Sequence, residues 1–154
     1  MKKFLSIVLA LTLGITALSA QEYKNAIGLR IGYDVSVTYK TFVSQSNFVD
    51  VGINLTPWGG DFGATLYGFY DWNFSIGQVP GLSWYVGPGA QVGLYAKSFY
   101  LTINGQIGLE YKFQNAPITL SLDYAPGLGI VFGKEAIGFG YAGFFGGLGV
   151  RYTF

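Results

Sequence analysis

Acid–base and nucleophilic chemistry rests on a few residue types, and this chain lacks two of them: it has no histidine and no cysteine. Imidazole is the side chain whose ordinary pKa suits proton transfer near neutrality, and it is the usual activator of serine. Without histidine or cysteine a zinc or haem site has no natural ligands, and no cluster of Asp, Asn and Gly has calcium-loop spacing. No cofactor and no metal are therefore expected. What remains is a set of carboxylates and cations: Arg30, Lys40, Asp50, Glu110, Lys112, Asp123 and Arg151. Glu110 and Asp123 come together if their segments pair around a turn at Asn115 and Ala116, and two neighbouring carboxylates can do acid and base work. The competing account is electrostatic, because Arg30, Lys112 and Arg151 should face the same end of the same interior, and ion-pair networks perturb acids without catalytic purpose. We prefer the electrostatic account. It requires Arg30 and Arg151 to contact Glu110 or Asp123, and arginines on the outer face would refute it. The glycines Gly143, Gly146, Gly147 and Gly149 have the look of a phosphate loop, but no helix follows them, and a phosphate cradle needs one.

The elements that must position these residues have a period of two. From Leu101 to Phe113, Leu101, Ile103, Ile107, Leu109, Tyr111 and Phe113 share one face, and Thr102, Asn104, Gln106, Gly108, Glu110 and Lys112 the other. Such alternation marks a half-buried strand. The end of the chain repeats it, with Leu148, Val150, Tyr152 and Phe154 opposite Gly147, Gly149, Arg151 and Thr153. After Pro117, Ile118, Leu120, Leu122 and Tyr124 alternate with Thr119, Ser121, Asp123 and Ala125. Weaker versions run from Ile27 to Tyr33, Val37 to Val43, Val49 to Leu55, Ala64 to Trp72 and Leu82 to Tyr95, separated by Asn, Asp, Gly, Pro or Ser breakers. The fold expected is all-β: an eight-stranded antiparallel up-and-down transmembrane β-barrel. Turns are expected near Ser36, at 57–61, near Lys97 and at 133–136 on one side. The connection from Asn73 to Gly81, on the other, is long for its side.

The beginning of the chain has Lys2 and Lys3, an apolar run from Phe4 to Leu18, and small residues Ser19 and Ala20 before polar Gln21. That is the form of a cleaved secretory signal peptide, residues 1–20, followed by one domain, 21–154. Export without cysteine means neither disulfides nor a lipidated amino terminus, so another device must stabilise the fold. Charged residues are 11% of the chain, against about 25% in an ordinary soluble domain. Without Lys2 and Lys3, seven basic residues face eight acidic ones, which gives nucleic acid no purchase.

Two features test the membrane reading. A Lys or Arg facing lipid at the bilayer midplane costs roughly 2–4 kcal/mol, and the register places Arg30, Asp34, Lys40, Asp50, Asp71, Glu110, Lys112, Asp123 and Arg151 on polar faces. The other six mature charges, Glu22, Lys24, Asp61, Lys97, Lys134 and Glu135, fall at ends or turns. Trp72, Phe74, Trp84, Tyr111, Phe113, Tyr152 and Phe154 fall at one end of their strands, as interfacial aromatic girdles do.

The terminal run Gly149-Val150-Arg151-Tyr152-Thr153-Phe154 resembles the signal by which the outer-membrane assembly machinery recognises its barrels, with Tyr152 and Phe154 as its key positions. The chain from Gln21 onward resembles the small eight-stranded bacterial outer membrane barrels, the group of outer membrane protein X and the membrane domain of outer membrane protein A. The segments AIGLRIGYD (26–34), GLEYKF (108–113) and ITLSLDYAP (118–126) look most like uncharacterised members. The resemblance implies the fold and a Gram-negative outer membrane location; the even strand count puts both termini on the periplasmic side, and a monomer is expected, with membrane lipids and the assembly machinery as partners. The resemblance implies no activity.

Three functions then compete. A non-enzymatic structural or interaction barrel, its interior filled by its own side chains, comes first. A narrow pore or small-solute carrier is favoured by small inward glycines and opposed by inward Tyr67, Phe69, Tyr85 and Tyr95. A lipid-modifying enzyme without histidine ranks last. A soluble lipid-binding barrel would need the two faces reversed, with Arg30, Glu110 and Arg151 in water.

Overall fold

A computed structural model describes residues 23–57, 60–133, 137–142 and 146–154, with 137–142 described through the backbone alone. The expected leader, together with Glu22, Lys134, Glu135 and Gly143, lies outside the described residues.

Among the described residues ten strands follow one another: β1 Asn25–Gly32, β2 Val35–Phe42, β3 Asn47–Thr56, β4 Gly63–Ser75, β5 Leu82–Tyr95, β6 Ser98–Lys112, β7 Ile118–Tyr124, β8 Gly127–Phe132, β9 Ile137–Ala142 and β10 Gly146–Thr153. They make eight staves. β7 and β8 both pair with β6 in one continuous register, Ile107 opposite Tyr124 and Asn104 opposite Gly127. The stave is interrupted at Pro126, which has no N–H to give the ladder and only accepts, from Gly105 N at 3.0 Å. β9 and β10 form the eighth stave. Its pairing shifts by one residue between Tyr124↔Gly146 and Gly127↔Ala142. Neighbouring staves are antiparallel throughout, and the sheet closes on itself: β1 pairs with both β2 and β10, β10 with β7, and β5 with β6. Asn25 and Phe154 seal the first-to-last seam by exchanging both backbone hydrogen bonds at 2.9 Å. A closed sheet leaves no edge along such a seam.

Turn chemistry sets the rims. Tyr33–Asp34 and Ala96–Lys97 connect strands at one rim, where β3 and β8 end and β4 and β9 begin; 43–46, 76–81, 113–117, Asn25 and Phe154 lie at the other, the chain-end rim. Two corrections to the sequence reading follow. Ser36 is not at a turn but inside β2, buried and hydrogen-bonded to Asn54. β4 also runs three residues past Trp72, which reduces the long connection to Ile76–Gly81. Gly81, at a φ of 85°, adopts the left-handed conformation that returns the chain, and Ile76 N donates to Leu82 O at 2.9 Å.

The alternation has a definite direction. Among the described residues, the buried side chains are 21 polar or charged and 7 apolar, all lining the interior, while Ile27, Leu29, Ile53, Leu66, Ile103, Leu122, Leu128 and Leu148 stand on the outside. This inverts the distribution of a soluble domain. Leu109 and Tyr152 face out, and Arg30, Glu110 and Arg151 face in.

Candidate functional site: an ionic network in the lumen

Each inward charge is held by the phase of its strand. Arg151 alternates with outward Val150 and Tyr152 on β10, and Arg30 with Leu29 and Ile31 on β1. The wall beside them is stripped of side chains: Gly149 is opposite both Arg30 and Ser121, and Gly28 is opposite both Arg151 and Thr38. Long side chains can therefore cross the lumen.

Arg151 is the hub. Its Nη2 lies 2.6 Å from Asp50 Oδ2, its Nη1 donates to Ser121 Oγ at 2.9 Å and lies 3.7 Å from Glu110 Oε2, and its Nε donates to Thr38 Oγ1 at 2.7 Å. Arg30 Nη1 reaches Asp123 Oδ1 at 3.2 Å, and the guanidinium carbon stands 4.8 Å from the centre of the Tyr67 ring. Lys40 Nζ donates to Glu110 Oε1 at 2.9 Å and sits 3.7 Å from the Phe48 ring centre, with Phe42 5.0 Å away. A cation so desolvated gains from the ring quadrupole as well as from its carboxylate. Tyr23 OH donates to Glu110 Oε1 at 2.5 Å, and Tyr85 OH to Asp123 Oδ2 at 3.1 Å.

Both arginines thus meet acids, which is the arrangement the electrostatic account requires. Glu110 and Asp123 do not face each other as an acid–base couple: each is bound to its own cation and its own tyrosine. Lys112 is a correction. It stands half-buried at the rim, where its Nζ donates to Phe113 O at 2.7 Å and Ala116 O at 2.9 Å, capping the β6–β7 turn. The last inward position of a strand meets the turn before it meets the network. Tyr95 is a second correction, exposed at the opposite rim. Tyr152 and Phe154 lie on the outer face at the rim of the chain ends, their rings 6.2 Å apart.

Sequence reasoning missed Tyr23, Thr38 and Ser121 as partners. Thr38 and Ser121 carry inward phase, and the signal that could have found them is their cross-strand position beside Gly28 and Gly149. Tyr23 precedes the first strand and has no such signal. Asp34, at the turn after β1, accepts from Thr56 Oγ1 at 2.6 Å; burial pushes its carboxyl above the ordinary range, and the Thr56 bond and the Arg30 charge pull it back.

Two aromatic groups fill the lumen, Phe42, Phe48 and Tyr85 with Tyr23 in one and Tyr67 with Phe69 in the other. Phe42–Phe48 and Phe48–Tyr85 meet edge to face at centroid distances of 5.5 and 5.3 Å. The rings need glycine to stand on: a Cβ on Gly108 would collide with the Tyr85 ring, one on Gly52 with Tyr67, and one on Gly89 with Phe69. Ions and rings thus share the lumen.

No family model, no curated protein and no solved structure matches the chain.

Proposed function

We propose that the chain is an integral outer-membrane β-barrel of the small eight-stranded kind, monomeric, with a lumen closed by its own side chains and a structural or interaction role rather than a catalytic one. The observation that carries this is the inversion of faces: charges are buried inside, where Arg30, Lys40 and Arg151 each meet a carboxylate, while the outer wall is apolar. In water such a wall would be an aggregation site, whereas in a bilayer it is the solvated face. Aromatic pairs on the outside toward the chain-end rim, Tyr70–Trp72, Phe74–Trp84 and Tyr111–Phe113, with centroids 5.6, 4.6 and 5.1 Å apart, fit an interfacial girdle. With the leader read as an export signal, that rim is the periplasmic one, and Tyr152 and Phe154 form the assembly signal on it. Membrane lipids and the assembly machinery are the partners.

The test is fractionation with heat-modifiability on gels. The protein should pellet with outer membranes and migrate faster unboiled; recovery in the soluble fraction would overturn the reading. A narrow pore is the second reading, favoured by Asn54 Nδ2, Thr119 Oγ1 and both polar atoms of Gln106, which are buried without a protein partner and invite water. In planar bilayers the closed lumen should give no stable current, and stepwise conductance would establish the pore instead.

A further inference from the structure

The inward, buried charges do not balance. Arg30, Lys40 and Arg151 face Asp50, Asp71, Glu110 and Asp123, so among the described residues the acids exceed the cations by one. The three cations are bonded to Asp50, Glu110 and Asp123. Asp71 is left over. It is fully buried, at 0% exposure, and neither carboxylate oxygen has a hydrogen-bond partner. An ionised carboxylate stripped of water and partners is among the costliest things a protein can bury.

Its neighbours carry further unpaired oxygens. Asn73, the next inward residue on β4, has an unpartnered buried Oδ1. Across the wall, Asp71 neighbours Gly87 on β5, and Gly87 pairs with Gln106 on β6, whose Oε1 also has no partner. Because Gly87 has no side chain, Asp71 and Gln106 project inward across two interstrand spacings, roughly 10 Å of backbone, with nothing from the wall between them. On its other side Asp71 is opposite Phe48, whose ring already carries the Lys40 ammonium. The unsatisfied atoms of Asp71, Asn73 and Gln106 are four oxygens and one nitrogen. Oxygens without donors call for a cation, and side-chain carbonyls can replace part of an ion's hydration shell.

We propose that Asp71, Asn73 and Gln106 form a binding site in the barrel lumen for one dehydrated monovalent metal cation of sodium or potassium size. The charge excess of one matches a single positive charge. A divalent ion would ask for several carboxylates, and no group of three or more such ligands occurs among the described residues. The site goes beyond the closed-barrel reading and does not depend on conductance.

The barrel refolded into zwitterionic phosphatidylcholine vesicles is unfolded with urea in sodium, potassium or choline chloride at equal ionic strength and pH. A specific site raises the apparent folding constant in proportion to metal-ion concentration above saturation, about tenfold for each tenfold increase; choline screens equally and cannot enter. The unfolding midpoint should rise with sodium or potassium and not with choline. Asp71→Asn should fold, lose the dependence, and be more stable than the unsubstituted chain in choline. Equal midpoints in all three salts would overturn the site, leaving Asp71 to hold a proton or water instead, and so would an Asp71→Asn barrel that keeps the dependence. If that variant does not fold, crystals of the unsubstituted barrel grown with thallium(I) decide: anomalous density at the Asp71 carboxylate supports the site, and its absence refutes it.

Discussion

Replacing Arg151 with methionine tests whether the lumen is a low-dielectric, side-chain-filled interior. Methionine keeps most of the buried volume, so the cavity cost is small, and the perturbation is chiefly the loss of a charge and its hydrogen bonds. Glu110 retains Lys40 at 2.9 Å and Tyr23 at 2.5 Å. Asp50 loses its contact at 2.6 Å, and Thr38 and Ser121 lose acceptor contacts at 2.7 and 2.9 Å. Removing one partner of a buried pair costs about 3–5 kcal/mol, and because Glu110 is still compensated we expect the lower end, about 3 kcal/mol. Asp50→Asn in the Arg151→Met background should recover part of it, with a coupling energy of about 2 kcal/mol in the double-mutant cycle. The assay is reversible urea unfolding in phospholipid vesicles, followed by tryptophan fluorescence; Trp72 and Trp84 lie toward the chain-end rim and report on insertion. A solvent-exposed pair is worth only about 0–1 kcal/mol. A folded Arg151→Met barrel that loses less than about 1 kcal/mol, or a cycle with no coupling, would therefore show a water-filled lumen and refute the closed interior.

Other perturbations probe the wall and its turns. Leu29→Arg and Val150→Arg, in the middle of β1 and β10 on the outer face, should each cost roughly 2–4 kcal/mol in bilayers, while a water-soluble barrel would tolerate both in lipid-free buffer. Gly108→Leu should drive the Tyr85 ring from its seat and cost about 1–3 kcal/mol by overpacking; an unchanged urea midpoint would mean the ring has other room. Ala96 and Lys97 occupy left-handed conformations, at φ of 48° and 65°, in the two-residue β5–β6 turn. Substituting Asn-Gly there should stabilise the barrel by roughly 0.5–1 kcal/mol, read as a higher urea midpoint, and a lower midpoint would contradict the turn geometry.

The strands were legible where one face is wholly apolar. Leu101–Phe113 and Leu148–Phe154 fixed their own phase, and with it the inward position of Glu110 and Arg151. The upper parts of the seventh and eighth staves were harder. Pro126 interrupts the first, and in β9 glycine at 138 and 140 leaves alternation without polar side chains to mark a face. Lys112 was misplaced for a physical reason: periodicity assigns a face but not a height, and only height distinguishes the network from free carbonyls at a turn. Pairing specificity within the lumen was not legible at all. Which acid Arg151 takes depends on side chains spanning the lumen from staves that no local pattern relates, and on glycines that leave the way open.

The same glycines explain why charge can be buried here. In a barrel this narrow every inward side chain competes for one axis, and the wall alternates residues that cross it with residues that yield. Gly28 and Gly149 flank the paths of Arg151 and Arg30, while Gly108, Gly52 and Gly89 lie under Tyr85, Tyr67 and Phe69. Around Gly87, which stands between Asp71 and Gln106, unpaired polar atoms remain. If the barrel lies in a bilayer, as proposed above, a fully apolar lumen would leave nothing to distinguish inside from outside during insertion, because both faces would favour lipid. The charged interior makes the inverted wall unambiguous, since a strand shifted by one residue would carry Arg30 or Arg151 to the outer face. The ion pairs thus specify register more than they add stability, and Asp71, the one buried acid without a partner among the described residues, marks where that specification is still open to a ligand.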